Sequence, residues 1–576
     1  MAQINIWTIG NTGLRSINRT YDGLRAFANS SLVGHIHGTE EEKKLESLLL
    51  QAGAIDRLTE KSDGTYARKW RLSWVRSGFI RCRVKSSDPF KQDDIGPEDT
   101  LTPLGQQYAN ATTLSAQQEL YLRVLSVPLY AECNGEFYNP FDWQGHDKDG
   151  HFFSPLLWTL KVMFSMEKLY GTTGLTFEDF SIFVQTSCPE SNSDFIANQI
   201  HEFETQKNNS EHKKRFNTET YKKFGESYSK SSQNFHEYGD MNLRYLRMTG
   251  IFAKHGRGII LRDECLSLAK GLLAMDYTGN DLIDNVLLLY NIPSLPTDNI
   301  EGAKESLNDL TQELKSKGIS YDLSSVNYDL VSEVNTTRTY LQNILDEDNE
   351  KKFAYNQRFA WQEISEYLSM LSKGRSYYKN EELDIEIPSS EAPAYLEWTV
   401  WRSLLAIDNL SCPPDKVRSF SIDHDMLPVN TAAGNMPDLI AEYKDFELVG
   451  EVTLSGGSRQ EAMEGEPVRR HVAVEATNTK KKVYGMFIAG KIDTNTAETF
   501  RTGVWYLPDD SSVELTIIPL TIDQYKNIFD SMFASKNVSE TRLIQILQSC
   551  GEGREKMTAP EWKKNIEKYL LQLLSN

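Results

Sequence analysis

Two acidic residues in the last third of the sequence, Asp438 and Glu451, could bind a metal ion together. They lie in two runs of β-forming residues, DLIAEY (438–443) and FELVGEVTL (446–454), which flank the dipeptide Lys444-Asp445. A two-residue hairpin turn at this dipeptide places Asp438 directly opposite Glu451. Side chains paired in this way share one face of the hairpin, with Cβ atoms about 4.5–5.5 Å apart.

Such a pair of carboxylates favours metal-dependent phosphate chemistry. Two carboxylates forced together repel each other, so one of them stays protonated unless a cation intervenes. A hard divalent ion with oxygen ligands supplies that cation, and Mg²⁺ is the usual ion in phosphate chemistry. It can polarise a phosphate and lower the pKa of a bound water. A β-bulge would break the pairing, and acidic pairs on exposed strands are common, so an ordinary surface hairpin is the open alternative.

The segment that follows the hairpin, SRQEAMEGEPVRRH (458–471), carries further polar candidates. Its pattern is helical at first, and Pro467 is expected to bend or end the helix. Gln460 and Glu464 are four residues apart and therefore share a helix face, where Glu464 could complete a metal shell or orient the attacking water. Three basic residues come next and could hold a phosphate or stabilise developing charge: Arg469, Arg470 and His471. A charged surface helix is the competing interpretation.

The elements around these residues predict the order α-β-β-α-β. The segment YLEWTVWRSLLAID (395–408) is a strong helix in which Glu397 shares a face with apolar residues. A buried glutamate needs a partner or a metal, whereas a glutamate near a helix end commonly turns outward. The runs KVYGMFIAG (482–490) and VELTIIPL (513–520) are predicted to be buried central strands of a mixed sheet.

These residues resemble a known nuclease family. Met436-Pro437-Asp438, followed by Glu451-Val452-Thr453, looks like a variant PD-(D/E)xK nuclease motif. The wider string, AAGN-PD, DF-LVGEVT and Q-ME-EPV-RH, resembles the AlwI family of type IIS restriction endonucleases, which includes site-specific nicking enzymes. The resemblance covers most of the chain, because WRLSWVRSGFI, LRYLRMTGIF, YNIPSLP and LEWTVW are similar to the same family.

The resemblance implies both a domain plan and a set of catalytic residues. It implies an N-terminal recognition region of winged-helix type, a helical linker, and a C-terminal cleavage domain similar to that of FokI. Enzymes of this kind use Mg²⁺ and cut double-stranded DNA a few bases outside a short asymmetric site. The implied catalytic residues are Glu397, Asp438, Glu451 and Glu464, of which Asp438, Glu451 and Glu464 are the expected metal ligands. Gln460 is a further catalytic candidate, because the role of the motif lysine falls to a metal, to Gln460 with Glu464, or to another residue. Thr453 stands where the motif usually has lysine, so this residue cannot place a cation beside the attacking water.

Two regions of the N-terminal half are predicted to contact DNA. The first, RKWRLSWVRSGFIRCRVK (68–85), is rich in β-formers, is broken by Ser77-Gly78 and is interpreted as a basic hairpin. A helix at 100–109 follows it, where Pro103 can begin the helix after a threonine cap. The second is a helix at 242–252, a turn at His255-Gly256 and the basic run RGIILRD.

A helix followed by a basic hairpin is the order of a winged helix, and two α+β subdomains with solvated arginines are the alternative. The basic candidates for DNA binding in the two regions are Arg68, Lys69, Arg71, Arg76, Arg81, Arg83, Arg244, Arg247 and Arg257.

The chain is too long for one core and is expected to hold several domains. Acidic helical patterns and proline-containing segments indicate boundaries in the chain. Together with the resemblance, they predict four parts: a first recognition subdomain (1–130), a second (131–275), a helical linker (276–380) and a PD-(D/E)xK-type cleavage domain (381–576). The fold class is therefore multidomain, α+β and α/β, with a mixed sheet in the cleavage domain.

Composition and charge restrict the classes of function that this protein can have. The formal net charge of −19 is unusual for a protein that binds DNA, but eight basic residues and one acid, Asp88, lie between Arg68 and Lys91. A basic patch on an acidic body is compatible with DNA binding on one face. No signal peptide or membrane-spanning run is predicted, and the six scattered cysteines disfavour a disulfide scaffold or a structural zinc site. We therefore expect a cytoplasmic protein without membrane contact.

The sequence thus predicts a site-specific, Mg²⁺-dependent deoxyribonuclease of a restriction-modification system. A single chain has one predicted active site, so it either nicks one strand or cuts both through a transient homodimer or a second subunit. The rival hypothesis is a non-catalytic, sequence-specific DNA-binding protein that retains a nuclease-like domain. The filled acidic positions disfavour that rival.

Overall fold

The computed structural model describes most of the chain and divides it into two compact units. Unit 1 is Met1–Asn343 and unit 2 is Ile344–Asn576. The residues described are 6–10, 17, 19–55, 58, 64–143, 150–228, 231–277, 279, 281–324, 326–380, 383–388, 391–432 and 436–575. The fold is mixed α+β and mostly helical, with small sheets, as the sequence predicted at that level.

Unit 1 is built on helices around one cluster of buried apolar residues that extends from Ile6 to Leu295. The first strand of unit 1 is the middle strand of a three-stranded antiparallel sheet, and the last two strands form a separate hairpin. Its helices are α1 (Arg19–Ala28), α2 (Thr39–Gln51), α3 (Thr65–Arg76), α4 (Gln92–Ile95), α5 (Pro103–Asn110), α6 (Leu114–Ser126), α7 (Pro155–Tyr170), α8 (Phe177–Asp179), α9 (Ser193–Asn209), α10 (Lys213–Tyr228), α11 (Ser232–Arg247), α12 (Leu266–Ala274), α13 (Leu282–Tyr290) and α14 (Ile300–Ser316). Its strands are β1 (Tyr130–Cys133), β2 (Glu136–Tyr138), β3 (His151–Phe153), β4 (Phe252–His255) and β5 (Gly258–Leu261).

Helix α15 (Val331–Asn356) contains the division between the units, and unit 2 continues with a second buried cluster, from Ile364 to Leu570. Its remaining helices are α16 (Trp361–Ser372), α17 (Ala392–Ile407), α18 (Pro414–Val417), α19 (Glu466–Asn478), α20 (Thr494–Thr502), α21 (Ile522–Ala534), α22 (Glu540–Gly551) and α23 (Ala559–Ser575). Its strands are β6 (Tyr377–Lys379), β7 (Asp384–Glu386), β8 (Leu439–Glu442), β9 (Phe446–Thr453), β10 (Lys482–Ala489), β11 (Val504–Tyr506), β12 (Ser512–Glu514) and β13 (Ile517–Thr521). The four-part domain division stays a prediction.

The hairpin predicted at 68–85 is wrong, because the first half of this segment forms helix α3. Ala67, Trp70 and Trp74 follow the helical spacing and are buried in the core of unit 1. Gly78, which was interpreted as a break between strands, stands just after the helix with φ 70°. The amide of Phe79 donates to the carbonyl of Trp74 over 2.9 Å, so the glycine ends a helix.

The helices predicted in the N-terminal half are confirmed. Thr102 caps α5, since its hydroxyl accepts a hydrogen bond from the amide of Gly105 over 2.9 Å. Helix α11 is followed by the β4–β5 hairpin, as predicted, although the helix ends at Arg247 and Phe252 already begins a strand. The hairpin turn is Gly256-Arg257, one residue later than expected.

The main sheet of unit 2 is mixed, in the order β13-β10-β9-β8. Strand β10 is parallel to β9 and to β13, whereas β8 and β9 are antiparallel. Helix α17, the β8–β9 hairpin, helix α19 and β10 follow one another in the predicted α-β-β-α-β order. The interpretation of 513–520 as one central strand is wrong, because β13 is at the end of this sheet and 512–514 pairs with β11.

Close packing of α19 on this sheet depends on Gly485 in β10. A Cβ at this position would lie 2.8 Å from Ile517 Cγ1 and 2.9 Å from Val472 Cγ2. The missing side chain therefore lets α19 approach the strand that lies beside β9. Within the part of the chain that the structure describes, no helix is both long enough and apolar enough to cross a bilayer.

Candidate active site

The β8–β9 hairpin confirms the predicted turn and register. Its pairs run from Glu442 opposite Glu447 to Leu439 opposite Gly450. The turn is Lys444-Asp445, and the amide of Tyr443 donates to the carbonyl of Phe446 over 2.9 Å. A two-residue turn leaves no freedom in the pairing, so the residue before β8 is brought to the same end of the hairpin as Glu451.

Asp438 is the residue immediately before β8, and its carboxylate is fastened to the neighbouring strand. One carboxylate oxygen accepts a hydrogen bond from the amide of Val452 over 2.8 Å. The carbonyl of Asp438 accepts another from the amide of Ser419 over 3.1 Å. Both bonds hold Asp438 beside Glu451, although the regular strand pairing stops one residue earlier.

Glu451 is buried, with 7% of its surface exposed, and contacts a histidine from helix α19. Its Oε1 is 2.6 Å from Nδ1 of His471. The other ring nitrogen, Nε2, is buried and has no hydrogen-bond partner. His471 therefore touches a carboxylate through one nitrogen and has its second nitrogen free of partners.

Glu397 enters the same site from helix α17. Every residue of that helix from Ala394 to Ile407 is buried, and Glu397 is only 5% exposed. One carboxylate oxygen accepts a hydrogen bond from the amide of Ala432 over 2.8 Å. The outward-turned alternative for this glutamate is thereby excluded.

Glu464 comes from a single π-helical turn, Glu461–Gly465, that precedes α19. Single π turns are rare and occur often at functional sites. Glu464 is half-buried, and the Thr453 side chain lowers its pKa against the larger effect of burial. Pro467 does not end the helix as predicted; it lies in the first turn of α19, where a missing N–H costs nothing.

The four carboxylates act on one another electrostatically. Burial, followed by repulsion from Asp438 and Glu451, holds the pKa of Glu397 well above its ordinary value. Burial and Glu451 do the same to the pKa of Asp438. Burial and Glu464 raise the pKa of Glu451 to about 8, and burial raises the pKa of Glu464 as well. Without a cation, this cluster does not carry its full negative charge at neutral pH.

Gln460 supports the loops around the cluster. It is fully buried, and its amide N–H groups donate to the carbonyls of Ser455 and Lys491 over 2.7 and 2.8 Å. Its carbonyl oxygen accepts from the amide of Asp493 over 2.9 Å. Both amide N–H groups are therefore already used by the backbone.

The two arginines that follow Glu464 have partners on the protein. Arg469 lies over the ring of Trp505, 5.6 Å from its centroid, and Arg470 pairs with Glu466 over 3.1 Å. The charge of Arg470 also lowers the pKa of Glu451, against the larger effect of burial. The positive charge of Arg470 thus acts on Glu451, one of the four carboxylates.

Among the predicted DNA-binding residues of unit 1, several are engaged within the protein. Arg81 donates to the carbonyls of Ile95 and Leu101, and burial lowers the pKa of Arg76. Arg83 and Arg257 are exposed but have contacts on the protein: Arg83 pairs with Glu98 over 3.5 Å, and Arg257 lies over the ring of Phe177, 4.5 Å from its centroid. Arg247, in the last turn of α11, is half-buried. The remaining candidates have these contacts: Arg68 with Glu42, Lys69 over Tyr66, Arg71 with His37, and Arg244 with Asp240.

The donor set of the cluster suits a hard divalent cation. It offers carboxylate oxygens, which Mg²⁺ prefers, and its raised pKa values show an excess of buried negative charge. Among the described residues, no three of these carboxylates have oxygens that all lie within 4.8 Å of one another. Mg²⁺ usually takes one or two carboxylates and fills its shell with water and phosphate oxygens, so this spacing fits the ion.

Sequence reasoning missed the backbone groups that hold the carboxylates. The amides of Ala432 and Val452 fasten Glu397 and Asp438, and no side-chain pattern marks an amide as a donor. It also did not predict that His471 contacts Glu451, although the histidine itself was a candidate. Residues 433–435, part of the AAGN string, lie outside the described residues.

Comparisons with known proteins identify similar nucleases. The family description "AlwI restriction endonuclease" matches residues 89–528. Among solved structures, the small subunit of the heterodimeric restriction endonuclease R.BspD6I is 21% identical, with a TM-score of 0.29, over 37% of this chain and 98% of that one. Restriction endonuclease FokI is 10% identical, with a TM-score of 0.25, over 95% of this chain and 99% of that one. These scores are too low to establish a shared fold, and no curated protein matches.

Proposed function

Because this chain belongs to the AlwI restriction endonuclease family, we propose that it is a type IIS enzyme that hydrolyses phosphodiester bonds a few bases outside a short asymmetric site. One observation carries the proposal. The β8–β9 hairpin, helix α17 and the π turn at Glu461–Gly465 bring four carboxylates together: Glu397, Asp438, Glu451 and Glu464. Two of them, Glu397 and Glu451, are buried, and the free-energy cost of burying acids beside other acids is typical of functional sites.

Asp438 and Glu451 would hold Mg²⁺ in a variant PD-(D/E)xK site, and Glu464, the third predicted ligand, would orient a water beside them. When bound, the ion supplies positive charge that stabilises the attacked phosphate and lowers the pKa of a water. Two neighbouring groups would fix the geometry: the backbone amide of Val452 donates to Asp438, and the imidazole of His471 contacts Glu451. Glu397 is held at the back of the cluster by the amide of Ala432.

His471 is proposed as a positioning residue at the site where the motif lysine is replaced by Thr453. Burial and Arg470 lower the pKa of the imidazole, which therefore stays neutral at neutral pH. A neutral ring that donates from Nδ1 holds the Glu451 carboxylate in one orientation. Gln460 takes a second positioning role, because its amide ties together the loops on either side of the cluster.

Unit 1 is proposed as the DNA-recognition part, with α11 and the β4–β5 hairpin as an element of winged-helix type, and residues 276–380 are proposed as a helical linker. Arg257 lies in the turn of this hairpin and is exposed. Arg83 is exposed on 67% of its side chain. These two arginines are the proposed phosphate contacts, since a phosphate contact needs an accessible cation.

The test is cleavage of supercoiled plasmid by the purified protein with Mg²⁺, for wild type and Asp438→Ala. We expect the variant to lose cleavage and to keep DNA binding in a gel-shift assay without metal. Asp445→Ala is the matched control, because Asp445 is an exposed residue in the turn of the same hairpin. Cleavage by Asp438→Ala at the wild-type rate would refute the assignment.

The same assay determines how many strands one chain cuts. The described residues contain one such carboxylate cluster, so we propose that each chain cuts one strand and that a transient homodimer or a second subunit cuts the other. Open-circular product should therefore appear first at low protein concentration. Linear product that rises with concentration indicates a homodimer, and its absence at every concentration indicates a nicking enzyme or a missing subunit.

A further inference from the structure

A second group of potential metal ligands lies in unit 1, away from the carboxylate cluster of unit 2. Glu132 in β1 converges with Cys188 and with Glu190, which lies in the 3-10 turn Pro189–Ser191 directly after Cys188. One ligand atom from each of the three lies within 4.8 Å of the others. Within the described ranges, this is the only group of three or more histidine, cysteine, aspartate or glutamate side chains that meets this distance.

A histidine stands beside the three. His151 in β3 is paired directly with Glu132 in β1, so the two side chains share one face of the sheet. Its Nδ1 is 3.3 Å from a carboxylate oxygen of Glu190. His151 is exposed on 64% of its side chain, which gives the group an entry path from solvent.

We propose that Glu132, His151, Cys188 and Glu190 form a zinc site in unit 1. A thiolate, an imidazole and carboxylates are the ligands of Zn²⁺, and four of them match its tetrahedral preference. Mg²⁺ and Ca²⁺ take oxygen ligands and would leave the sulfur unused. Ligands on one tetrahedral zinc stand roughly 3.5 Å apart, given bonds of about 2.0–2.3 Å. The ligand atoms of Glu132, Cys188 and Glu190 lie within 4.8 Å of one another, and the exposed His151 ring would rotate to join them on the ion.

The surrounding structure holds two of these ligands in place. Ser187, the residue before Cys188, is bound on both sides: its carbonyl accepts from Trp7 Nε1 over 2.9 Å and its hydroxyl accepts from Trp158 Nε1 over 3.1 Å. One oxygen of Glu132 accepts from the amide of Gly135 over 2.6 Å. Such support orients metal ligands before the ion arrives.

The electrostatics of the group also favour a cation. Cys188 is buried beside the carboxylates of Glu132 and Glu190, whose negative charges attract a cation. When Zn²⁺ binds, the S–H bond breaks, a sulfur–zinc bond forms and the proton goes to solvent. The ion would tie β1 and β3 to the 3-10 turn and so stabilise the sheet of unit 1.

The test is zinc titration of the full-length, tag-free protein after treatment with a chelator. Isothermal titration calorimetry should show one Zn²⁺ bound per chain at this site, and Cys188→Ser should weaken it by about 100-fold or more, since even outer-shell changes cost 10–100-fold. Co²⁺ in place of Zn²⁺ should give the near-ultraviolet band of a thiolate ligand. Cys133→Ser is the matched control, because Cys133 is a buried cysteine of the same strand as Glu132.

Further variants keep the test decisive. If Cys188→Ser fails to fold, Glu190→Gln and His151→Ala, which change partly exposed residues, should each weaken zinc binding. Asp438→Ala should keep the Co²⁺ thiolate band, which separates this site from the carboxylate cluster. Absence of the band in wild type, or its survival in Cys188→Ser, would overturn the proposal.

Discussion

Replacing Glu451 with glutamine should stabilise the metal-free protein at neutral pH. Glu451 is 7% exposed, and burial and Glu464 raise its pKa from 4.5 to about 8. Forming the charged carboxylate in this place therefore costs free energy in the folded state. Glutamine has the same shape and no charge, and its amide oxygen can still accept the hydrogen bond from His471.

The size of the effect follows from that pKa. Each pH unit between 4.5 and about 8 is worth about 1.4 kcal/mol for one proton, which sets an upper limit of roughly 5 kcal/mol. Water penetration and relaxation of neighbouring charges reduce such costs. We therefore expect a gain of about 1–3 kcal/mol at pH 8. For a unit of this size, each kcal/mol raises Tm by about 2–4 °C.

The pH dependence has a definite sign. Below pH 4.5 the carboxyl group is protonated in both the folded and the unfolded chain, and its contribution to stability is fully present. As the pH rises towards 8, the unfolded chain gives up its proton first, so the free energy of unfolding falls. The Tm values of wild type and Glu451→Gln should coincide near pH 5 and separate towards pH 8.

Thermal unfolding in EDTA, followed by calorimetry between pH 5 and pH 8, measures this separation. Glu555→Gln is the control for a general effect of the substitution, because Glu555 is exposed in the same unit. Added Mg²⁺ should raise the Tm of wild type more than that of Glu451→Gln, since the variant has lost a ligand. Equal Tm values for the two proteins at pH 8 in EDTA would show that ionisation of Glu451 does not destabilise the folded protein. That result would refute the reasoning.

Three further changes test the fold and the support of the site. Trp74→Ala should lower the free energy of unfolding by about 3–5 kcal/mol in chemical denaturation, because this fully buried ring belongs to a helix and not to an exposed hairpin; a loss below 1 kcal/mol would contradict that. Gly105→Ala should lower Tm, since its Cβ would lie 1.8 Å from the carbonyl oxygen of Phe79. Gly457→Ala is the control and should leave Tm nearly unchanged, because its Cβ would have no atom within 4 Å. Gln460→Ala should reduce plasmid cleavage and leave DNA binding intact, because it removes three hydrogen bonds from a buried side chain to the backbone of two loops. Unchanged cleavage would show that Gln460 does not position the site.

Local pattern was enough for the hairpin at the centre of the site. Lys444-Asp445 is a two-residue turn between β-forming runs, and the number of turn residues sets every pair of β8 and β9. Helix α17 and the α-β-β-α-β order could likewise be predicted, because the spacing of apolar residues along the sequence indicates which face of a helix or strand is buried.

Local pattern failed at residues 68–85, where two periodicities compete. Trp70 and Trp74 are four residues apart, which suits one face of a helix and equally one face of a strand. Burial of both rings in unit 1 decides for the helix, and Gly78 then serves as its end. The packing partners of the two tryptophans are distant in sequence, so the segment alone could not report them.

The sequence by itself determined which side chains could do chemistry and which pair a short turn would bring together, Asp438 and Glu451. Only the tertiary structure decided that Glu397 and Glu464 join this pair, that His471 contacts Glu451, and that Cys188 meets Glu132 across unit 1. The physical reason is the range of the forces involved. A turn constrains neighbours through the backbone, whereas distant residues meet only when the burial of whole helices and strands compensates the entropy lost in closing the chain between them.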